Sequence, residues 1–271
     1  MTYINRGRPR AKQTWLTIGI WALVALSIGS VRGAMGQAGP TKVTVRVVAH
    51  DAKIIGSGVG GARVTIRDAE TGATLAQGVQ EGSTGNTERI MRTPRTRGVP
   101  IFDTEGAARF VAQLNLTRPT VVEIVAEGPL DTPHSMQRAS KTSLIVPGQD
   151  VTGDGIVLEL MGFTVVFEDS TDASEFRVGH EIPVRVGVTM LCGCPTEPGG
   201  MWDADQIDVT VRMIREGVVV AETPLEYAGS TSTFSGRLTG HEPGAFELQV
   251  IAQDPDRANF GWVARPITVL K

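Results

Sequence analysis

From residue 41 onward, apolar residues recur at every second position in short runs, and that period decides the fold class. Val43, Val45 and Val47 alternate in TKVTVRVVAH, Val64 and Ile66 in GARVTIRDA, and Val122, Ile124 and Ala126 in TVVEIVAE. Phe110, Ala112, Leu114 and Leu116 do the same in RFVAQLNL. Alternation places these residues on one face of a strand, the pattern of a sheet with one side buried. Turn signals separate the runs: Thr71-Gly72, Gly82-Ser83-Thr84-Gly85, Pro119 and Gly128-Pro129. No amphipathic helix of useful length competes, since AETGATLAQG is interrupted by two glycines. Many short strands with Gly and Pro punctuation predict an all-β chain built from antiparallel β-sandwiches.

The front of the chain has a different character. Arg6, Arg8, Arg10 and Lys12 precede 19 uncharged residues, Gln13 to Val31. A basic front followed by an apolar run is the signature of a Sec-type signal peptide, and the small residues of VRGAMGQAG allow cleavage after Gly36 or Ala38. The run is also long enough to stay as an anchor in the inner membrane, touching lipid through residues 14–31. Residues 1–36 are therefore expected to be a signal peptide or signal anchor. The rest is expected to be periplasmic or extracellular.

Charge narrows the partners. Beyond residue 36 the chain carries 21 Lys and Arg against 29 Asp and Glu. The excess lies in residues 161–271, with 8 bases and 16 acids, whereas residues 37–160 hold 13 of each. That balance excludes a nucleic-acid footprint. A hydrophobic fraction of 41% excludes a disordered chain, and two Cys are too few for a disulfide-stapled miniature fold.

The alternation divides into two sets. In the first, GGARVTIRDAETG at residues 60–72 (a Gly, a small residue, alternating Val and Ile, then a polar hairpin ending in Thr-Gly) resembles carboxypeptidase-regulatory-like and transthyretin-like sandwich domains. The resemblance extends over residues 41–160. It implies a seven-stranded Ig-like fold with a binding or structural role, and it brings no catalytic residue. The chain departs from that pattern by a long insertion at 79–101. The second set, residues 161–271, reads FTVVFE, IPVRVGVTML, IDVTVRMI, VVVAETPLEY, TSTFSGRL, AFELQVIAQD and VARPITVL. Its closing strands look like those of bacterial Ig-like or fibronectin-type modules. Arg215-Glu216-Gly217 marks a hairpin with Gly at a position needing φ > 0. Two Ig-like or transthyretin-like sandwiches, closely joined because Val157 to Glu168 is nearly continuous β-pattern, are expected after the leader.

Three groups of residues are candidate sites. Met190, Cys192 and Cys194 share one parity of an extended strand, so three soft sulfur donors suit copper or zinc. The same parity continues Val184, Val186 and Val188, which reads as core. Alternatively, Cys192 and Cys194 form a disulfide if the chain bends at Gly193, or they stay as free or intermolecular thiols. Acidic loops form the second group: Asp254-Pro-Asp256-Arg-Ala-Asn259, Asp203-Ala-Asp205 and Asp150 to Gly155, read as solvated turns or as oxygen donors for calcium. The last of these departs from a calcium loop at its twelfth position, Met161. The third group is Arg89, Arg92, Arg95 and Arg97 in the insertion, read as a partner-docking arm or as a mobile solvated loop. His50, His134, His180 and His241 have no local partner spacing, and no nucleophile elbow, zinc-protease or phosphate-loop motif is present. The sequence thus predicts a non-enzymatic, exported binding or scaffold protein that engages another protein or a cell-envelope polymer. A metal-binding protein using the Met-x-Cys-x-Cys cluster is the alternative.

Overall fold

The structure, a computed structural model, describes residues 39–168 and 175–271. The leader, with its basic front, apolar run and cleavage positions, lies outside the described residues. Seven strands form the first sandwich: β1 (Thr41–Ala49), β2 (Ala62–Asp68), β3 (Thr74–Gln80), β4 (Phe110–Leu114), β5 (Thr120–Gly128), β6 (Gln137–Ile145) and β7 (Val151–Leu160). One sheet has the order β4-β1-β7, with β1 antiparallel to β4 and parallel to β7. The other has the order β3-β2-β5-β6 and is antiparallel throughout. Val43, Val45 and Val47 of β1 meet Val64, Ile66 and Ile124 of the facing sheet in one buried cluster. In the β2–β3 hairpin, the Asp68 carboxylate accepts the N–H groups of Thr71 and Glu70. The Thr71 bond leads in holding that carboxyl below its ordinary 3.8.

β1 breaks the simple alternation, because its second face is buried as well. Thr44, Arg46 and Val48 all lie inside. The connection between β3 and β4 covers them. β3 continues to Gln80, so this connection spans 81–109 rather than starting at 79. Bridges Glu81↔Arg109 and Ser83↔Ala107 close its base. Ile90, Phe102, Ala107 and Ala108 pack with Val48 and Ile54 into a second small core. A helical turn, Glu88–Arg92, carries Ile90. The ends of the insertion are therefore an ordered flap, and its exposed stretch is confined to 92–100.

The second sandwich comprises β8 (Phe163–Phe167), β9 (Glu175–Arg177), β10 (Glu181–Met190), β11 (Asp208–Arg215), β12 (Val218–Pro224), β13 (Glu226–Tyr227), β14 (Thr233–Thr239), β15 (Gly244–Asp254) and β16 (Asn259–Leu270). Its sheets run β13-β14-β10-β8 and β12-β11-β15-β16-β9. In chain order these are strands A, B, E and D facing G, F, C and C′, with β9 crossing over to lie parallel to β16. That is the arrangement of an Ig-like sandwich. Val184, Val186 and Val188 on β10 face Val211, Leu248 and Val250 across it. Aliphatic packing thus stands where antibody domains have an inter-sheet disulfide. The β11–β12 hairpin turns on Glu216 (φ 50°) and Gly217 (φ 79°), both left-handed as a two-residue turn of this hand requires.

Two residues, Met161 and Gly162, join β7 to β8. Gly162 has φ 136°, and a Cβ there would stand 2.8 Å from the Phe260 carbonyl oxygen, so the position excludes a side chain twice over. Gly162 N donates to Asn259 Oδ1 at 2.7 Å. His134 Nε2 lies 2.8 Å from the Val165 carbonyl, and Val165 N donates to Ser135 Oγ at 3.3 Å. The main cluster of buried side chains runs through both sandwiches without a break, and residues 37–271 form one unit.

Candidate functional site

The two acidic loops of the second sandwich converge on the first sandwich at the junction. Asp203 caps a short helical turn by accepting Asp205 N, and Asp254 accepts Arg257 N at the end of β15. Between them a cleft of about 280 Å³ is lined by Asp51, Trp202, Asp203, Gln206, Arg257 and Asn259. Arg257 supplies the positive charge there, 2.8 Å from Asp254 and 3.2 Å from Asp51. Asp254 is buried, and its hydrogen bond and charge push the pKa of Arg257 up. Trp202 Nε1 donates to the Asp51 carbonyl at 2.9 Å. Every one of these contacts fastens one sandwich to the other or closes a turn. Among the described residues, no three His, Cys, Asp or Glu side chains are gathered as metal ligands. The third acidic run, expected as a loop, lies instead at the start of β7, at the irregularity between Val151 and Ile156. Asp154 accepts the N–H groups of Ile101, Phe102 and Asp103, and Asp150 accepts Lys42 N, so this segment holds the flap and the start of β1.

Cys192 and Cys194 are joined as a disulfide at the end of β10, with Cα atoms 5.4 Å apart. Gly193, with φ 73°, makes the bend, and Met190 N and Gly193 N close the turn onto Cys194 O and Met190 O. All three sulfur-bearing side chains are buried. In this form the two cysteines offer no thiolate to a metal. A Cβ on Gly193 would meet Val59 of the first sandwich at 2.8 Å, so the sulfur turn also abuts the junction.

The four flap arginines divide into pairs. Arg89 reaches across the loop to the Pro100 carbonyl, and Arg92 pairs with Glu88 at 3.3 Å. Arg95 and Arg97 project from the exposed stretch. The histidines are spread through the fold. His50 Nδ1 stands 2.9 Å from Glu159, His134 bonds across the junction, and His180 and His241 are exposed.

One surface was not legible in the alternation of VARPITVL, because β16 begins four residues earlier, at Asn259. In NFGWV, residues 259–263, the alternation puts Phe260 and Trp262 on the outer face of the five-stranded sheet, opposite buried Val263. Trp262 is 54% exposed and Phe260 50%, and Met161 of the linker is 49% exposed beside them. Together with Gln137, Gln249 and Ile251 they line a shallow hollow of about 420 Å³ that contains no charged side chain. Depletion of charge with exposed aromatic and Met side chains is the composition of an interface centre. The signal available in the sequence was the aromatic pair at i and i+2 ahead of Val263.

No family model matches the chain, and no curated protein matches it. Several solved structures are similar in part. An engineered protein is 18% identical over 47% of this chain and 24% of its own length, with a TM-score of 0.30. The fibronectin(III)-like modules of Clostridium thermocellum CbhA are 10% identical over 84% of this chain and 90% of theirs, with a TM-score of 0.26. A chimeric titin Z1Z2 is 15% identical over 88% of this chain and all of its own, with a TM-score of 0.25. The chain spans about a quarter of the engineered protein and most or all of the other two. The Ig-like description of the second sandwich rests on its strand order.

Proposed function

We propose that the chain is an exported, non-enzymatic binding or scaffold protein of the cell envelope, and that it docks a protein partner on the outer face of the five-stranded sheet around Met161, Phe260 and Trp262. The observation that carries this reading is the uncharged hollow itself. Two aromatic rings and a thioether stand half-exposed on a rigid sheet, where solvation leaves their apolar surface uncompensated. β15 pairs with β16 along its length, Gln253 opposite Phe260 and Ile251 opposite Trp262, so the rings are presented at little ordering cost. Export is supported by the basic front and uncharged run of the leader. The carboxypeptidase-regulatory-like reading of residues 41–160 is supported by their seven strands in sheets of three and four.

The test compares the protein with F260A/W262A as baits on an envelope extract, after circular dichroism has shown that both keep the same β-spectrum. A partner retained by the parent and lost at least tenfold by the variant is expected. Equal retention of every captured protein by both baits would reject this surface. Recovery of the protein in the cytoplasmic fraction of its own cells would reject export.

A further inference from the structure

Residues 92–100 form nine consecutive exposed positions. The stretch is anchored at both ends. On one side Ile90 is buried in the small core, and Thr93 N donates to Glu88 O at 2.9 Å. On the other side Phe102 is buried, and the Asp154 carboxylate takes three successive N–H groups from Ile101 to Asp103. Between the anchors the backbone makes two hydrogen bonds, Val99 N to Thr96 O and the Pro100 carbonyl to the Arg89 guanidinium, both at the 96–100 end. Arg95 and Arg97 have no hydrogen-bond or ion-pair partner among the described residues. Exposed loop tips of this kind are where peptidases gain access to a folded chain.

We propose that this loop is an endoproteolytic processing site for an arginine-specific peptidase, which converts the protein into a two-chain form that stays together. Water adds to the carbonyl carbon of Arg95 or Arg97, and the bond to Thr96 or Gly98 breaks. The arginine gains a carboxylate and the following residue an ammonium group. The remaining basic residues between 39 and 271 are shielded. Most lie in strands. Arg109 is bridged to Glu81 at the base of the flap. Lys53 and Arg89 precede the buried Ile54 and Ile90. The N–H after Arg92 is bonded to Glu88 O. Arg118 precedes Pro119. Arg257 is held through its N–H and its guanidinium by Asp254.

Cohesion of the cut product follows from the topology. The cut separates β1, β2 and β3 from all later strands. Yet β1 lies between β4 and β7, and β2 pairs with β5. Arg46 in the first fragment bonds Asp103 in the second at 2.7 Å. The cut also unpins one wall of a hollow of about 360 Å³ that Pro94 and Arg95 share with Val48, Ala52 and Phe102. This inference is independent of the docking face.

The experiment is limited trypsin digestion of the folded full chain, with cut positions read by mass spectrometry. Past the first 38 residues, the earliest cuts are expected after Arg95 or Arg97. The two products should co-elute in native gel filtration and separate only in denaturant. R95Q/R97Q should slow these cuts at least tenfold without shifting the melting temperature, since both side chains are exposed. An earlier cut elsewhere between 39 and 271, or dissociation of the nicked product under native conditions, would overturn the proposal.

Discussion

At the scale of single residues, two buried polar side chains decide how β1 is completed. Gln80 is fully buried and replaces a missing strand. β4 pairs with β1 no further than Val45↔Phe110. Beyond that point Gln80 Oε1 accepts Val47 N at 2.7 Å, while Nε2 donates to Val47 O and Ile55 O, both at 2.8 Å. Val47 O also accepts Ile55 N, so the amide is the partner on which two buried backbone groups, Val47 N and Ile55 O, depend. Gln80→Leu keeps the volume and removes all three bonds. Each unpaired buried group costs roughly 1–3 kcal/mol, so with two left unpaired a loss of about 2 kcal/mol or more in denaturant unfolding is expected. A loss below about 1 kcal/mol would mean that water replaces the amide.

Arg46 is the second such residue, and its effect is felt at the scale of an element. It sits in the middle of β1 on what would have been the solvent face, and its side chain is completely covered. Nη2 meets Asp103, and Nη1 donates to the Gly153 carbonyl. The flap is thus clamped twice, from β1 by Arg46 and from β7 by Asp154. Arg46→Ala is expected to cost about 3 kcal/mol, near the lower end for a broken buried pair because Asp103 is 40% exposed. Amide hydrogen exchange at 101–103 should accelerate in Arg46→Ala and in Asp154→Ala alike. Unchanged exchange in both would show that the flap is held by its apolar contacts alone. The strands themselves were legible because their alternation is local. The flap was not, because nothing in TERIMRTPRTRGVPIFD states which surface it will cover. The Arg-rich composition suggested solvent, whereas Ile90 and Phe102 supply the anchoring. The same limit applied to β16, whose first residues carry the exposed aromatic pair.

For the whole molecule, the junction turns two sandwiches into one unit. A two-residue linker, the Gly162–Asn259 bond, the Trp202–Asp51 bond and the Arg257 ion pairs act alongside a continuous apolar core. Calorimetry on the protein is expected to show one cooperative transition for the sandwiches. Arg257→Ala should lower that transition by several degrees, because it strips the buried Asp254 of its charge partner. Two separate transitions in the parent protein would show that the junction does not couple them.

Sequence alone determined that the body of this chain is all-β. A period of two is written into neighbouring residues and needs no distant partner to be read. It likewise determined the tight hairpins at Thr71-Gly72 and Glu216-Gly217, where local backbone sterics suffice. Tertiary structure decided which of the two faces of each strand would be covered. It buried Arg46 and left Trp262 exposed, and it turned Asp154 into a clamp and Arg257 into the cation of an acidic cleft. Each of those outcomes depends on a segment more than fifty residues away arriving at a particular face, and alternation specifies that a face exists without specifying what meets it.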